Sequence, residues 1–208
     1  MRIKEYTISE IFQYILSKFF KTDWTKIHYL AMRINVEDIK EKLSEFKHDV
    51  KELHYDDFLK GDPHVFHGEK MELYKKRCKD PNYIAYGIFE DNKLLYSTWI
   101  SLKKLGLPIE PKPVYLLENE GYLEDSYCDP IARGRGFHSS MNNYRIMKLF
   151  ELGKDVVVVT VKDGNAPALK AQAKSGMVDL GSFYIGHLGG VKFSTLNKQK
   201  FDKKIYGK

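Results

Sequence analysis

Cysteine is scarce in this chain: the 208 residues hold two, Cys78 and Cys128, too few for a disulfide framework. That points to a reduced, cytoplasmic setting. Long apolar runs are missing too. The longest, Ile11 to Phe20 and Val156 to Val161, are interrupted or fall short of the roughly 20 residues that a spanning helix needs, so no membrane segment is expected. The start, MRIKEYTISE, has no continuous apolar stretch and no small-residue cleavage site, and it carries Glu5 and Glu10, which argues against a secretory signal. Internal repeats and low-complexity linkers are absent. With 15 Gly, 7 Pro, 43% hydrophobic and 30% charged residues, the composition is that of an ordinary globular chain. The length favours one domain over residues 1–208.

The 34 basic against 28 acidic residues give a net charge of +6, which suits nucleic acid, anionic lipid or a polyphosphate ligand. Because the basic residues are spread along the chain, a solvated surface explains them, and neither a nucleic-acid nor a membrane partner is expected. The tail NKQKFDKKIYGK is the one dense basic run and is expected to fray.

Thr7-Ile8-Ser9-Glu10 fits a capping box, with Tyr6 and Ile11 as a hydrophobic staple, and apolar residues recur at helical spacing to Phe19. Further helices are expected over about Val36–Phe46 and Gly68–Cys78, the latter with Met71, Leu73 and Tyr74 inward and stopped by Asp80-Pro81. Tyr83–Phe89 and Leu94–Leu102 are rich in aromatic and β-branched residues around the turn Glu90-Asp91-Asn92-Lys93, which predicts a β-hairpin. A Pro- and Gly-bearing loop, Leu105–Pro113, leads to a strand within Tyr115–Cys128. A helix over Gly136–Leu152 follows, closed by Gly153. Asp155–Val161 reads as a central buried strand, Pro167–Lys174 as a helix ending at Gly176, and Met177–Phe193 as the last β segment. The strand-helix-strand middle implies a parallel pair inside a mixed sheet.

Cys128-Asp129-Pro130-Ile131-Ala132-Arg133-Gly134-Arg135-Gly136 runs from a strand straight into a helix. Glycines there turn the backbone so that its N–H groups converge, and the helix adds free amides and a positive dipole end. An anion such as a pyrophosphate suits that place, with Arg133 and Arg135 able to add charge-assisted contacts. A tight connection accounts for the same glycines, and the pattern is neither a Walker A loop nor a dinucleotide fingerprint.

Pro130 to His138, with Arg133, Gly134 and Gly136, resembles the central motif of the GNAT superfamily of acyl-CoA-dependent N-acyltransferases, except that His138 stands where Gly or Ala is usual. Asn165-Ala166-Pro167-Ala168 through Lys174-Ser175-Gly176-Met177 resembles the family's second element, with Met177 in place of an aromatic residue. The resemblance covers residues 46–192, which leaves 1–45 as an N-terminal helical extension and 193–208 as a basic tail. It implies a mixed α/β fold: a central, mostly antiparallel sheet flanked by helices, with a V-shaped splay between two parallel central strands.

The resemblance further implies that acetyl-CoA enters that splay as acyl donor, with no metal. Tyr127 and Cys128 would pair with pantetheine through their backbones, Arg133, Gly134, Arg135, Gly136, Phe137 and His138 would hold the pyrophosphate, and Asn165 would lie near the thiol end. A primary amine would then attack the thioester directly, which requires that its proton leave to a base. Glu118, Glu120, Glu124 and Asp125 precede the motif, and Glu124 is the candidate base. On a regular strand Glu124 and Asp125 face opposite sides, so only a bulge would let both look into one cleft. The family's usual acid, a tyrosine, is Gln172 here, which leaves Tyr184, His138 or water. His54, His64 and His67 match no standard metal spacing.

The expected activity is N-acetyl transfer to a small metabolite such as an amino sugar, with a homodimer compatible with the sequence. The alternatives are a non-catalytic CoA-binding regulatory module of the same fold and a transferase for protein or peptide amines.

Overall fold

The computed structural model describes residues 22–207, and the helix expected from residue 8 lies outside them. The chain runs β1 (Asp23–Arg33), α1 (Val36–Leu43), β2 (Val50–Glu52), α2 (Tyr55–Phe58), α3 (Gly68–Arg77), β3 (Tyr83–Glu90) and β4 (Lys93–Ser101). It continues through β5 (Glu120–Cys128), α4 (Phe137–Glu151), β6 (Val156–Lys162), α5 (Ala166–Lys174), β7 (Val178–Leu188), β8 (Val191–Ser194) and α6 (Lys198–Tyr206).

The strands form one sheet in the order β2-β3-β4-β5-β6-β1-β7-β8, in which β5 and β6 are the parallel pair and the other pairings are antiparallel. The hairpin turn has positive φ at both Asp91 and Asn92 (48° and 60°), the twist that suits a two-residue connection. β6 is buried on both faces: Val157, Val159 and Val161 pack under α1 and α4 with Ile39, Met141, Ile146 and Leu149, while Val156 and Val158 pack towards α6.

Two sequence expectations are corrected here. Residues 1–45 are not wholly a helical extension, because Asp23–Arg33 is a strand inserted between β6 and β7 near the middle of the sheet. Its Ile27, Tyr29 and Ala31 alternate into one core and Leu30 into the other, a period-2 signal already present in DWTKIHYLAMR. The basic tail is not frayed either. Lys198–Tyr206 is a helix whose Phe201, 4% exposed, stacks on Tyr29 at 4.3 Å. A smaller difference concerns α3, where Met71 and Tyr74 are buried but Leu73 is 43% exposed.

Two features of the sheet prepare a site. β5 and β6 are paired only from Glu120↔Val156 to Leu123↔Val159. Beyond that, β5 stays with β4 out to Tyr96↔Cys128, and β6 stays with β1 out to Ile27↔Lys162, so the parallel strands part. The second feature is a bulge in β5. Trp99 pairs with Glu124 and Ser97 with Tyr127, which leaves Asp125 and Ser126 opposite Thr98 alone, with Asp125 at φ 46°.

Candidate active site

The bulge decides where the carboxylates point. Glu124 and Asp125 both reach Arg77 at the end of α3: Arg77 Nη2 donates to Glu124 Oε2 at 2.8 Å and Nη1 to Asp125 Oδ2 at 3.1 Å. The Tyr74 hydroxyl donates to the same Asp125 oxygen at 2.9 Å. Arg77 is itself 9% exposed, lying over the rings of Tyr83 and Trp99. The extra residue in the strand thus gathers two neighbouring acids onto one guanidinium.

Glu124 is 8% exposed, and its Oε1 is buried without a hydrogen-bond partner. Burial pushes its carboxyl up to about 7, against the opposing pull of Arg77, and the nearby charge of Asp125 adds to the rise. A carboxyl that titrates near neutrality can take a proton and give it up at working pH. It is held in place from the loop side by Gly106. A Cβ built on that glycine would run into the Glu124 carboxylate, so a larger residue there would have to displace that side chain or the loop. Tyr122 ties the same loop to both central strands, its hydroxyl 3.2 Å from the Gly106 carbonyl and 2.5 Å from Thr160 Oγ1.

Glu124 lies between two cavities. One, of about 660 Å³, is walled by the end of α3 (Leu73, Arg77), the loop residues Lys104 to Pro108 and Glu110, Tyr122 and Asp125. The other, of about 200 Å³, occupies the splay and is lined by Ser126, His138, Arg145, Asn165 and Gln172. Gln172 is 3% exposed and its Oε1 has no partner, an unmet acceptor in a cleft between parting strands. Arg145, 1% exposed, donates to the carbonyls of Trp99 (3.1 Å) and Glu124 (3.3 Å) and to Asn142 Oδ1. Burial lowers its pKa to about 10, which leaves it charged at neutral pH.

The strand-to-helix connection after β5 is shaped by Asp129. Its carboxylate accepts from the Ile131 amide at 3.1 Å and pairs with Lys93 at 2.8 Å, which holds the acid below its usual range. Gly134 and Gly136 then sit at φ 81° and 80°, with open space where a Cβ would be. They answer a backbone need, unlike Gly106. The first backbone bond of α4 runs from the Ser140 amide to the Gly136 carbonyl, so the helix's first amides have no partner within the helix itself.

No protein-family model matches the sequence, and no curated protein matches it. Solved structures do match in three dimensions. A GNAT-family protein from Novosphingobium aromaticivorans superposes with TM-score 0.56 at 13% identity, over 78% of this chain and 63% of that one. The chain has the GNAT acetyltransferase fold. A glucosamine N-acetyltransferase region of a fungal multi-domain β-N-acetylglucosaminidase matches at TM-score 0.54 and 14% identity, over 89% of this chain and 23% of that protein. The aminoglycoside N-acetyltransferase AAC(6')-Iy in complex with CoA matches at TM-score 0.50 and 10% identity, over 64% and 93%. This chain therefore spans less than two thirds of the Novosphingobium protein.

On the GNAT frame the residues expected from sequence fall into three groups. Glu124, Asn165 and His138 line the splay cavity. Tyr127 and Cys128 continue β5 past the point where it leaves β6, and burial raises both side-chain pKa values, that of Tyr127 to about 12. Arg133, Gly134, Arg135 and Gly136 form the exposed turn before α4, and Phe137 turns its ring into the core against His48 and Tyr96.

Two of these side chains already have partners within the protein. Arg135 forms a two-pronged pair with Glu90 across Phe137, so its guanidinium is already engaged. His138 Nδ1 meets the Tyr96 hydroxyl at 2.7 Å, and burial, with Arg145 nearby, lowers its pKa to about 4. A neutral imidazole results. Tyr184 does not join the site: it is 43% exposed on β7, opposite Lys26, and lines neither cavity. Sequence reasoning missed Arg77, Arg145 and Gly106. Nothing distinguishes these arginines among 34 basic residues, and nothing local singles out Gly106 within the Leu105–Pro113 loop.

Proposed function

We propose that the chain is an acetyl-CoA-dependent N-acetyltransferase whose acceptor is a primary amine of a small metabolite such as an amino sugar. The observation that carries this reading is Glu124: a buried carboxyl titrating near 7, set where the splay of a GNAT fold meets a separate 660 Å³ cavity. Acetyl-CoA lies in the splay, its pyrophosphate on the amides from Arg133 to His138 and its pantetheine along the free edge of β5 at Tyr127 and Cys128. Gln172 and Asn165 supply polar contacts beside it. The acceptor enters the larger cavity.

The amine nitrogen attacks the thioester carbonyl carbon, the C–S bond breaks, and the proton lost by nitrogen passes to Glu124. The departing thiolate takes its proton from water. Arg77 keeps enough positive field on Glu124 to return it to the carboxylate between turnovers, while burial keeps it basic enough to accept. Two neighbours with amino-sugar acceptors in their descriptions, a glucosamine and an aminoglycoside N-acetyltransferase, support the acceptor class.

The test is calorimetric titration of acetyl-CoA followed by a free-thiol assay over a panel of amines. Micromolar binding, with amine-dependent thiol release that rises with pH through about 7 and loses that rise in Glu124→Gln, is the expected result. Binding without amine-dependent release would make the chain a CoA-binding module. No binding at near-millimolar ligand would refute the reading.

A further inference from the structure

Besides Glu124 and Asp125, which share Arg77, the larger cavity is lined by Glu110, a carboxylate that the reaction does not use. Glu110, on the loop between β4 and β5, lines the cavity with Glu124, and its Oε1 is buried without a hydrogen-bond partner. Its surroundings are built. Leu105, fully buried, closes the loop through its amide to the Val114 carbonyl at 2.9 Å, Leu116 does the same to Lys103 at 2.9 Å, and Tyr122 holds the Gly106 carbonyl.

Among the described residues no cation lies within ion-pair distance of Glu110, although Lys104 and Lys192 act on it from further away. Arg77, which also lines the cavity, is fully engaged by Glu124 and Asp125. The cavity is thus lined by Glu124 and Asp125, both paired with Arg77, and by Glu110, which has no cation beside it. A cavity carboxylate with no cation of its own favours a ligand that brings one.

We infer that the acceptor carries two amino groups, one presented to Glu124 for acylation and the second held as an ammonium by Glu110. This inference rests on the acetyltransferase reading. It makes Glu110 a specificity-determining residue: it binds the far end of the acceptor and takes no part in the proton transfer at Glu124. Burial pushes the Glu110 carboxyl up from its ordinary value, and an ammonium partner would bring it down again. Holding the distant amine charged also orients the molecule, because only the neutral end can attack.

The test compares butylamine with diaminobutane as acceptors, for the parent protein, Glu110→Gln and Glu110→Asp, each checked for an unchanged melting profile. A charge-assisted contact of about 1.5–3 kcal/mol corresponds to a loss of about 10- to 100-fold, so Glu110→Gln is expected to lose that much kcat/KM for the diamine, through KM. Its kcat/KM for butylamine falls far less, with a pH profile moved slightly lower because the charge of Glu110 adds to the rise of Glu124, and Glu110→Asp, which keeps the charge, retains part of the diamine preference. Equal use of the two amines by the parent, or an equal loss for both in Glu110→Gln, overturns the inference and leaves the acetyltransferase reading standing. If acetyl-CoA binds but no amine releases thiol, the acetyltransferase reading fails and this one with it.

Discussion

Gly106→Ala is the sharpest perturbation of the site because it adds one methyl group at a known place. The new Cβ would stand 1.8 Å from Glu124 Oε2 and 2.9 Å from its Cδ, well inside van der Waals contact. Reaching even a tight 3.0 Å requires a relative movement of the loop and carboxylate of about 1.2 Å (3.0 less 1.8). Glu124 cannot move freely, since its Oε2 is 2.8 Å from Arg77 and its backbone carbonyl is bonded to Arg145. The loop is pinned on the other side by Tyr122. Overpacking of this kind costs about 1–3 kcal/mol, which for a chain of this size lowers Tm by about 2–4 °C per kcal/mol. A misplacement near 1 Å at a reacting group lowers turnover by about 10²-fold. The assay is kcat/KM by free-thiol release across pH 5.5–9, with acetyl-CoA affinity measured alongside. Activity is expected to fall about 10²-fold with donor affinity held within about threefold, because Gly106 lines the larger cavity and not the splay. An alanine variant with unchanged kcat/KM and pH profile would refute the claim that this glycine sets the position of Glu124.

Other outcomes follow from the same geometry. Glu124 has a folded-state pKa raised above its ordinary 4.5, so the folded protein binds this proton more tightly than the unfolded chain; its contribution to stability is greatest below about 4.5 and declines as pH rises towards 7. The decline amounts to about 3 kcal/mol, and Glu124→Gln is expected to remove it from a series of denaturant melts over that range. Glu124→Gln is also expected to lower kcat/KM by about 10²- to 10⁴-fold, as loss of a general base does, in the thiol assay at pH 8. Gly136→Glu is expected to abolish acetyl-CoA binding by calorimetry, since its carboxylate would face a pyrophosphate, whereas Gly136→Ala, with open space around the Cβ but φ at 80°, loses about 1 kcal/mol of stability and little affinity. Glu90→Gln frees Arg135 and is expected to tighten acetyl-CoA severalfold at low salt. Phe201→Ala, which unstacks Tyr29, is expected to cost about 3–5 kcal/mol in chemical denaturation.

The sequence by itself determined the elements whose signals are local. The β3–β4 hairpin was readable from its aromatic and β-branched runs around Asp91-Asn92, β6 from its unbroken valines, and α4 and α5 from the proline and glycine punctuation around them. The Arg133 to His138 turn and Asn165 are equally local: their backbone conformations and caps depend on a few adjacent residues. β1 was missed, read as part of a helical extension despite its period-2 alternation, and its place between β6 and β7 has no local signal, since strand order depends on pairings more than a hundred residues apart. Only the tertiary structure decided the rest of the site. One extra residue in β5 turns Asp125 to the same side as Glu124, and the burial that lifts Glu124 towards neutrality comes from α3 and a loop remote in sequence. Arg77 lies 47 residues from Glu124, and Gly106 earns its place only through contact with that carboxylate. A pKa and a close approach are properties of packed surroundings, and no spacing along a chain encodes them.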